Sequence, residues 1–352
     1  MLYEKVMRNI RDYTYDELKE KIIDIGEKKY RADQIFSWLH KNMISDLSAT
    51  SNLSKDLLKK INENFDTSYP IIEKEYISKL DDTKKYLIRL DDNNLIESVL
   101  MKYKYGYTVC VSSEVGCDMG CRFCASTIGG LKRNLYTYEI LAQIYLISKK
   151  NNLKISNVVI MGSGEPLLNF ENVIRFIKII NCEQGQNISM RNITLSTCGI
   201  VNNIYKLAEY GFPITLALSL HAPNDSIRNE IMPSSRNYQL SDVLKAMADY
   251  FIKTSRRITF EYALIKDIND GEINAKKLIN LFKTSFDGKH IDYNVNLIPV
   301  NEIKENNFKA PDRMDVERFK DILIEAGVQT TIRRELGKDI SGSCGQLRAS
   351  VK

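Results

Sequence analysis

Residues 116–127 read GCDMGCRFCAST and place Cys117, Cys121 and Cys124 at C-x3-C-x2-C spacing. Thiolates bind zinc or the irons of a cluster. A structural zinc site wants four protein ligands. No second C-x2-C or histidine pair lies near, so only Cys110 or Cys198 could act as a distant fourth ligand. Three cysteines in eight residues, flanked by Gly116 and Gly120, do not make a core pattern either. An iron–sulfur cluster fits better. With three cysteines, a four-iron cluster keeps one iron free of protein thiolate. That iron can take a ligand through nitrogen and oxygen.

The rest of the chain must position this loop. It has 352 residues, enough for one large domain and a smaller one. Its formal net charge is +5 and its pI is about 8.6, which suits a nucleic-acid partner without demanding one. The opening MLYEKVMRNIRDY lacks an apolar h-region, so no signal peptide is expected. No run of about 18 apolar residues predicts a membrane span. Seven cysteines, an odd number, argue for reduced thiols and a cytoplasmic location.

The first 67 residues read as a helical domain. Thr14 and Glu17 form a capping box. Leu18, Ile22 and Ile25 begin one apolar stripe, Ala32, Ile35, Phe36 and Leu39 a second, and Leu53, Leu57, Ile61 and Phe65 a third. Residues 68–107 change period. EYISKL, KYLIRL and LIESVLMKY, separated by Asp- and Asn-rich turns, predict an antiparallel meander.

From residue 108 to 332 strand and helix patterns alternate, which implies parallel strands with crossover helices. The strands are YTVCVSS, NVVIMG, NITLST, ITLALSLHA, RRITFEYALI and YNVNLIPV. Several alternate where a buried parallel strand is usually continuous. Ile214, Leu216, Leu218 and Leu220 share one face, and Thr215, Ala217, Ser219 and His221 the other. Ile193 and Leu195 oppose Thr194 and Ser196, and Val295 and Leu297 oppose Asn294 and Asn296. The apolar face should meet the helices, and the small polar face should line a lumen that holds something polar. Residues 333–352 form a Gly/Ser-rich tail.

The cysteine triplet after the first barrel strand, with Phe123 before its last cysteine, resembles the radical S-adenosylmethionine superfamily. MGSGEPLLN, LSTCGI, SLHAP, NLIPVN and CGQLR together resemble one subgroup, the dual-specificity RNA methyltransferases. The resemblance implies an α/β fold: a radical-SAM (βα)6 partial barrel with an N-terminal helical accessory domain and a β-meander. It implies a [4Fe-4S] cluster on Cys117, Cys121 and Cys124, with S-adenosyl-L-methionine on the open iron and two such molecules per turnover. It further implies methylation of C2 of adenosine in 23S rRNA, at the peptidyl-transferase centre, and in tRNA, next to the anticodon.

That carbon is electron-poor and does not attack a methyl cation equivalent, so a carbon radical is needed. As the resemblance implies, Cys344 takes a methyl group as S-methylcysteine, and a hydrogen atom is then removed from that methyl. The methylene radical adds to C2. Cys110 attacks the Cys344 sulfur, forms a transient disulfide and releases the product. Glu97 is the proton acceptor. It shares a strand face with Leu95, Val99 and Met101, so apolar neighbours are expected around it. Taken alone, an exposed meander charge reads as well, as does a small core residue for Cys110.

For the cofactor, Gly164, Glu165, Ser196, Ser219, Leu220, His221 and Asn301 carry over from the same resemblance. Gly162 and Gly164 are expected to let backbone approach the ligand's ammonium group. Ser163 and the Gly342-Ser343 pair depart from the subgroup pattern without removing a functional group. Cys198 and Cys182 read as ordinary packing residues.

Lys132-Arg133, Arg256-Arg257 and Arg333-Arg334 are candidate phosphate contacts, in which case RNA affinity should fall steeply with salt. An electron donor such as flavodoxin or ferredoxin and a monomeric state complete the expectation. Two other readings compete. Cfr-like relatives methylate C8, and against them stands Pro166 in Glu165-Pro166-Leu167. The other is a non-catalytic iron–sulfur or zinc RNA-binding protein.

Overall fold

The structure is a computed structural model and describes residues 7–348. The first six residues of the expected helical domain and the last four of the expected tail lie outside that range.

The three apolar stripes near the start become α1 (Tyr15–Asp24), α2 (Tyr30–Phe36) and α3 (Lys55–Asn64). The capping box forms, with the Thr14 N–H donating to Glu17 Oε2 at 2.9 Å. A π-helical turn, Ser37–Lys41, extends α2 and buries His40. His40 Nδ1 lies 3.0 Å from the Tyr145 hydroxyl, and Asp12 accepts from the Tyr138 N–H at 2.7 Å. These bonds join the helical layer to the first barrel helix. Burial lowers the His40 pKa to about 3, so its ring is neutral at that junction.

Alternating residues then build one sheet. The meander strands are β1 (Ile71–Ile77), β2 (Lys84–Arg89) and β3 (Leu95–Tyr103). They pair antiparallel with each other and with β4 (Gly106–Val111). Lys85 faces Val99, Leu87 faces Glu97, and Val99 faces Cys110. A small hairpin, β5 (Glu114–Gly116) with β6 (Leu131–Asn134), brackets the cysteine loop. The sequence pattern did not announce it.

The barrel continues through α4 (Thr137–Asn151), β7 (Ile155–Ile160), α5 (Phe170–Asn181), β8 (Ile193–Thr197), α6 (Val201–Glu209) and β9 (Thr215–Ser219). After α7 (Asp225–Ile231) and α8 (Leu240–Thr254) come β10 (Ile258–Leu264), α9 (Glu272–Ser285), β11 (Tyr293–Pro299), α10 (Arg313–Glu325) and β12 (Thr330–Ile332). Strand order is β1-β2-β3-β4-β7-β8-β9-β10-β11-β12, parallel from β4 onward. The ends do not meet, so the barrel is partial. It has seven parallel strands instead of the six expected. The seventh, β12, is three half-exposed or exposed residues, too short to show a period.

The predicted faces hold. Ile193 and Leu195 are buried while Thr194 and Ser196 are half-exposed toward the lumen, and Leu216 and Leu218 are fully buried. The core therefore lies between sheet and helices, and the polar face is left for a site.

Candidate active site

The three cysteines sit on the loop between β5 and β6. Gly116 opens it with φ +80°, and a Cβ there would lie 2.0 Å from the Gly130 carbonyl oxygen, so only glycine fits. The loop fastens itself by Cys124 N–H to Cys121 O at 3.0 Å and Thr127 Oγ1 to Cys124 O at 2.9 Å. Cys117, Cys121 and Cys124 all line one cavity at the C-terminal ends of the parallel strands. Among the described residues, no three His, Cys, Asp or Glu side chains converge on one point as a single metal ion requires.

The donor set suits a cluster. Burial pushes the Cys117 thiol up and takes Cys124 to about 11. Such thiols ionise readily only beside bound positive charge, which iron supplies. Phe123 packs edge-to-face on His221, with ring centroids 4.8 Å apart.

The other expected residues divide. Gly164, Glu165, Ser196, Ser219, His221 and Asn301 line the same cavity. His221 Nδ1 accepts from the Ala263 N–H at 2.9 Å, so the neutral ring carries its proton on Nε2. Burial lowers its pKa to about 3. The Leu220 side chain is fully buried in the helix-facing core, which leaves only its backbone to face a ligand.

The two glycines, which line the cavity, also have a packing role. A Cβ on Gly162 would meet Ser112 N at 2.8 Å, and one on Gly164 would meet Glu114 Cβ at 2.6 Å. Both are needed for the loop to pack on the β4–β5 segment. Glu165 braces two loops, accepting from Leu167 N–H at 3.0 Å and Cys198 N–H at 2.6 Å.

The tail returns across the meander. Asp339 accepts from Ser78 Oγ and Lys79 N–H, each at 2.7 Å, and Asp81 accepts from Gly337 N–H at 3.0 Å. Asn301 Nδ2 donates to the Cys344 carbonyl at 2.9 Å, and the Ala125 N–H donates to Gly345 O at 2.7 Å. Cys344 thereby lines the three-thiol cavity and also a smaller one that it shares with Cys110, Val99 and Met101. Burial, then proximity to Cys344, pushes the Cys110 thiol up to about 12. Ser343, at the variant position, donates to Leu336 O at 2.8 Å.

Glu97 is buried on the strand face that carries Val99 and Cys110. Its neighbours are not only apolar: Lys85 Nζ lies 3.0 Å from Oε1, and the Arg348 N–H donates to Oε2 at 2.5 Å.

Several residues were missed or misread. Cys198 packs against the cluster of Ala222, Met232 and Ile265 as read, and it also lines the three-thiol cavity, where its thiol is raised first by hydrogen bonding to Cys121 and then by burial. Arg333, expected at phosphate, turns inward beside Cys344 and Cys110, with Glu261 Oε2 3.5 Å away. Glu261 was legible, since Thr259, Glu261 and Ala263 alternate with Ile258, Phe260 and Tyr262. Arg228, fully buried, donates to the Cys198, Ser219 and Leu220 carbonyls and ties β8 to β9. Nothing local marks it. Of the other basic pairs, Arg133 is committed to Glu139 and Asp92, and Arg257 pairs with Asp292.

Comparison with known proteins gives the class first. The Radical SAM superfamily model matches residues 111–279, which span the cysteine loop and most barrel strands. The model for the ribosomal RNA large subunit methyltransferase N-terminal domain matches residues 8–66. A relative from Clostridium novyi (strain NT), described as a probable dual-specificity RNA methyltransferase RlmN, is 51% identical over 342 residues, covering 97% of this chain and 98% of its own. One from Clostridium botulinum (strain Eklund 17B / Type B), with the same description, is 50% identical over 344 residues, covering 98% and 97%. The crystal structure of a radical SAM methyltransferase from Sphaerobacter thermophilus superposes with a TM-score of 0.91 at 38% identity, covering 97% of this chain and 100% of that one. The chain belongs to the RlmN family of dual-specificity RNA methyltransferases within the radical SAM superfamily. It is therefore an RNA methyltransferase whose family uses a [4Fe-4S] cluster and S-adenosyl-L-methionine. No helix among the described residues is long and apolar enough to cross a membrane.

Proposed function

We propose that this enzyme methylates C2 of adenosine in 23S rRNA, at the peptidyl-transferase centre, and in tRNA, next to the anticodon, with Cys344 as methyl carrier. One observation carries the reading. Cys344 lines both the cavity of the three loop cysteines and the cavity of Cys110. A group on its sulfur thus has access to the radical source on one side and to a resolving thiol on the other.

Cys117, Cys121 and Cys124 hold the cluster, which supplies, when loaded, the electron that splits S-adenosyl-L-methionine. Gly164, Glu165, Ser196, Ser219, His221 and Asn301 surround that molecule, and Leu220 contributes backbone only. Cys344 Sγ accepts a methyl group from one S-adenosyl-L-methionine, and a second is consumed in activating that methyl. Glu97 receives the C2 proton, and the Cys110 thiolate then attacks Cys344 Sγ, forming the S–S bond and breaking the bond from that sulfur to the methylene on C2, whose carbon keeps the electron pair and takes a proton to become the methyl group. Pro166 favours C2 over C8. The domains that serve this are residues 1–67, 68–107, 108–332 and 333–352. The enzyme works as a cytoplasmic monomer with a flavodoxin or ferredoxin as electron donor.

The test is anaerobic turnover with rRNA and tRNA, followed by mass spectrometry of nucleosides. C2-methyladenosine that disappears in Cys344→Ala supports the reading. C8-methyladenosine, or C2-methyladenosine that survives Cys344→Ala, refutes it.

A further inference from the structure

Lys85 is an unusual residue for its place. It is 7% exposed, and the side chains of the Lys85–Glu97 pair are 9% and 4% exposed. Its Nζ makes three contacts: Glu97 Oε1 at 3.0 Å, the Ser341 carbonyl at 3.3 Å and the face of Tyr76 at 4.9 Å. A buried ion pair is seldom retained for stability, because apolar side chains of similar volume serve as well or better. Its position suggests another reason. Glu97 and Lys85 lie on one face of β2 and β3, and that face carries Cys110 on the next strand. Ser341 lies three residues before Cys344.

We propose that Lys85 is a positioning residue for Glu97, holding it charged and aimed for the release step. This rests on the reading of Glu97 as proton acceptor. A buried carboxylate without a partner tends to neutralise, and a neutral acid cannot take a proton. The ammonium group is the partner that Oε1 would otherwise lack, and it fixes that oxygen in place. Oε2 is left for the C2 proton. It already accepts from the Arg348 N–H, but a carboxylate oxygen has a second lone pair. Through Ser341 the same ammonium also anchors the tail, so the base and the methyl carrier share one point of reference.

The test uses the full, iron-loaded chain with Lys85→Met, Lys85→Gln and Lys85→Arg. Methylation of Cys344 is read by peptide mass, and decay of the covalent protein–RNA adduct by denaturing gel. The RNA carries hydrogen or deuterium at C2. In Lys85→Met and Lys85→Gln, loss of the Ser341 contact should slow Cys344 methylation by no more than about three-fold. Adduct decay should slow by about ten-fold or more and gain a C2-deuterium isotope effect, because proton removal becomes limiting. Lys85→Arg should recover most of the rate. Should Lys85→Met not fold, Lys85→Gln, which keeps a donor without the charge, gives the reading. Wild-type decay in Lys85→Gln overturns the proposal. So does an equal loss of Cys344 methylation, which would mean tail docking alone. Glu97→Gln separates the two levels: if it too decays at the wild-type rate, the base assignment itself is wrong.

Discussion

The molecule holds reactive sulfur in two ways. The loop of Cys117, Cys121 and Cys124 is closed by short-range backbone bonds, a hairpin and Gly116, where no side chain fits. Among the described residues, the tail segment around Cys344 contains one short 3-10 turn and no strand after β12. It is fastened by side chains more than 250 residues away in sequence, Ser78 and Asp81 among them. A ligand sulfur has to stay where it is. On the proposed function a carrier sulfur must be placed, used and moved, and a segment held by separate side-chain contacts instead of a strand ladder allows this.

The sharpest break in that comparison is to remove a loop thiol. Cys121→Ala should lose iron and all 5′-deoxyadenosine formation, read by iron content and chromatography. Cys344→Ala should keep its iron and its ability to cleave S-adenosyl-L-methionine while product formation falls to background. Cys110→Ala should go one step further and accumulate the protein–RNA adduct, visible on a denaturing gel. If Cys344→Ala loses iron as Cys121→Ala does, the two regions are one structural unit and the contrast fails.

Gly116→Ala should destabilise the loop side alone. The clash with Gly130 and the left-handed backbone predict roughly 2 kcal/mol of lost stability. Iron retention should drop with it, as followed by thermal melting and absorbance. Asp339→Ala should act on the tail side alone. Losing two hydrogen bonds should slow Cys344 methylation about three- to ten-fold at unchanged iron content.

The smallest effect concerns pH. The Cys110 thiol is raised to about 12 by burial, so it stays protonated in the folded chain where an unfolded thiol would ionise near 8.5. Between these values the unfolded state holds fewer protons, so this group lowers stability as pH rises. Denaturant titrations from pH 8 to 10 should show wild type losing more stability than Cys110→Ser. Parallel curves would place Cys110 in a more polar setting than the fold gives it.

The same contrast explains what could be read beforehand. The cysteine loop, the helical stripes and the alternating strands are local patterns, and they appear where spacing puts them. Ser196 and Ser219 fell on the lumen face by period alone. The tail contacts are long-range, so no window of sequence displays them. Lys85 looks like a solvated meander charge until the tail covers it. Arg333 looks like half of a basic run until β12, itself too short to recognise, turns it inward. Cys198 sits at a strand end two residues past Ser196, and only its approach to Cys121 distinguishes it from packing. Leu220 shows the converse: its side chain falls on the core face by period, so any part it takes at the ligand is through its backbone.

The strap that bears Cys344 docks on strands translated some 250 residues earlier. While the chain is still emerging from the ribosome, the metal loop and its barrel can assemble without the methyl carrier. On the proposed function, nascent enzyme thus stays without its docked carrier thiol until residues 333–348 have been made and fold back onto the meander.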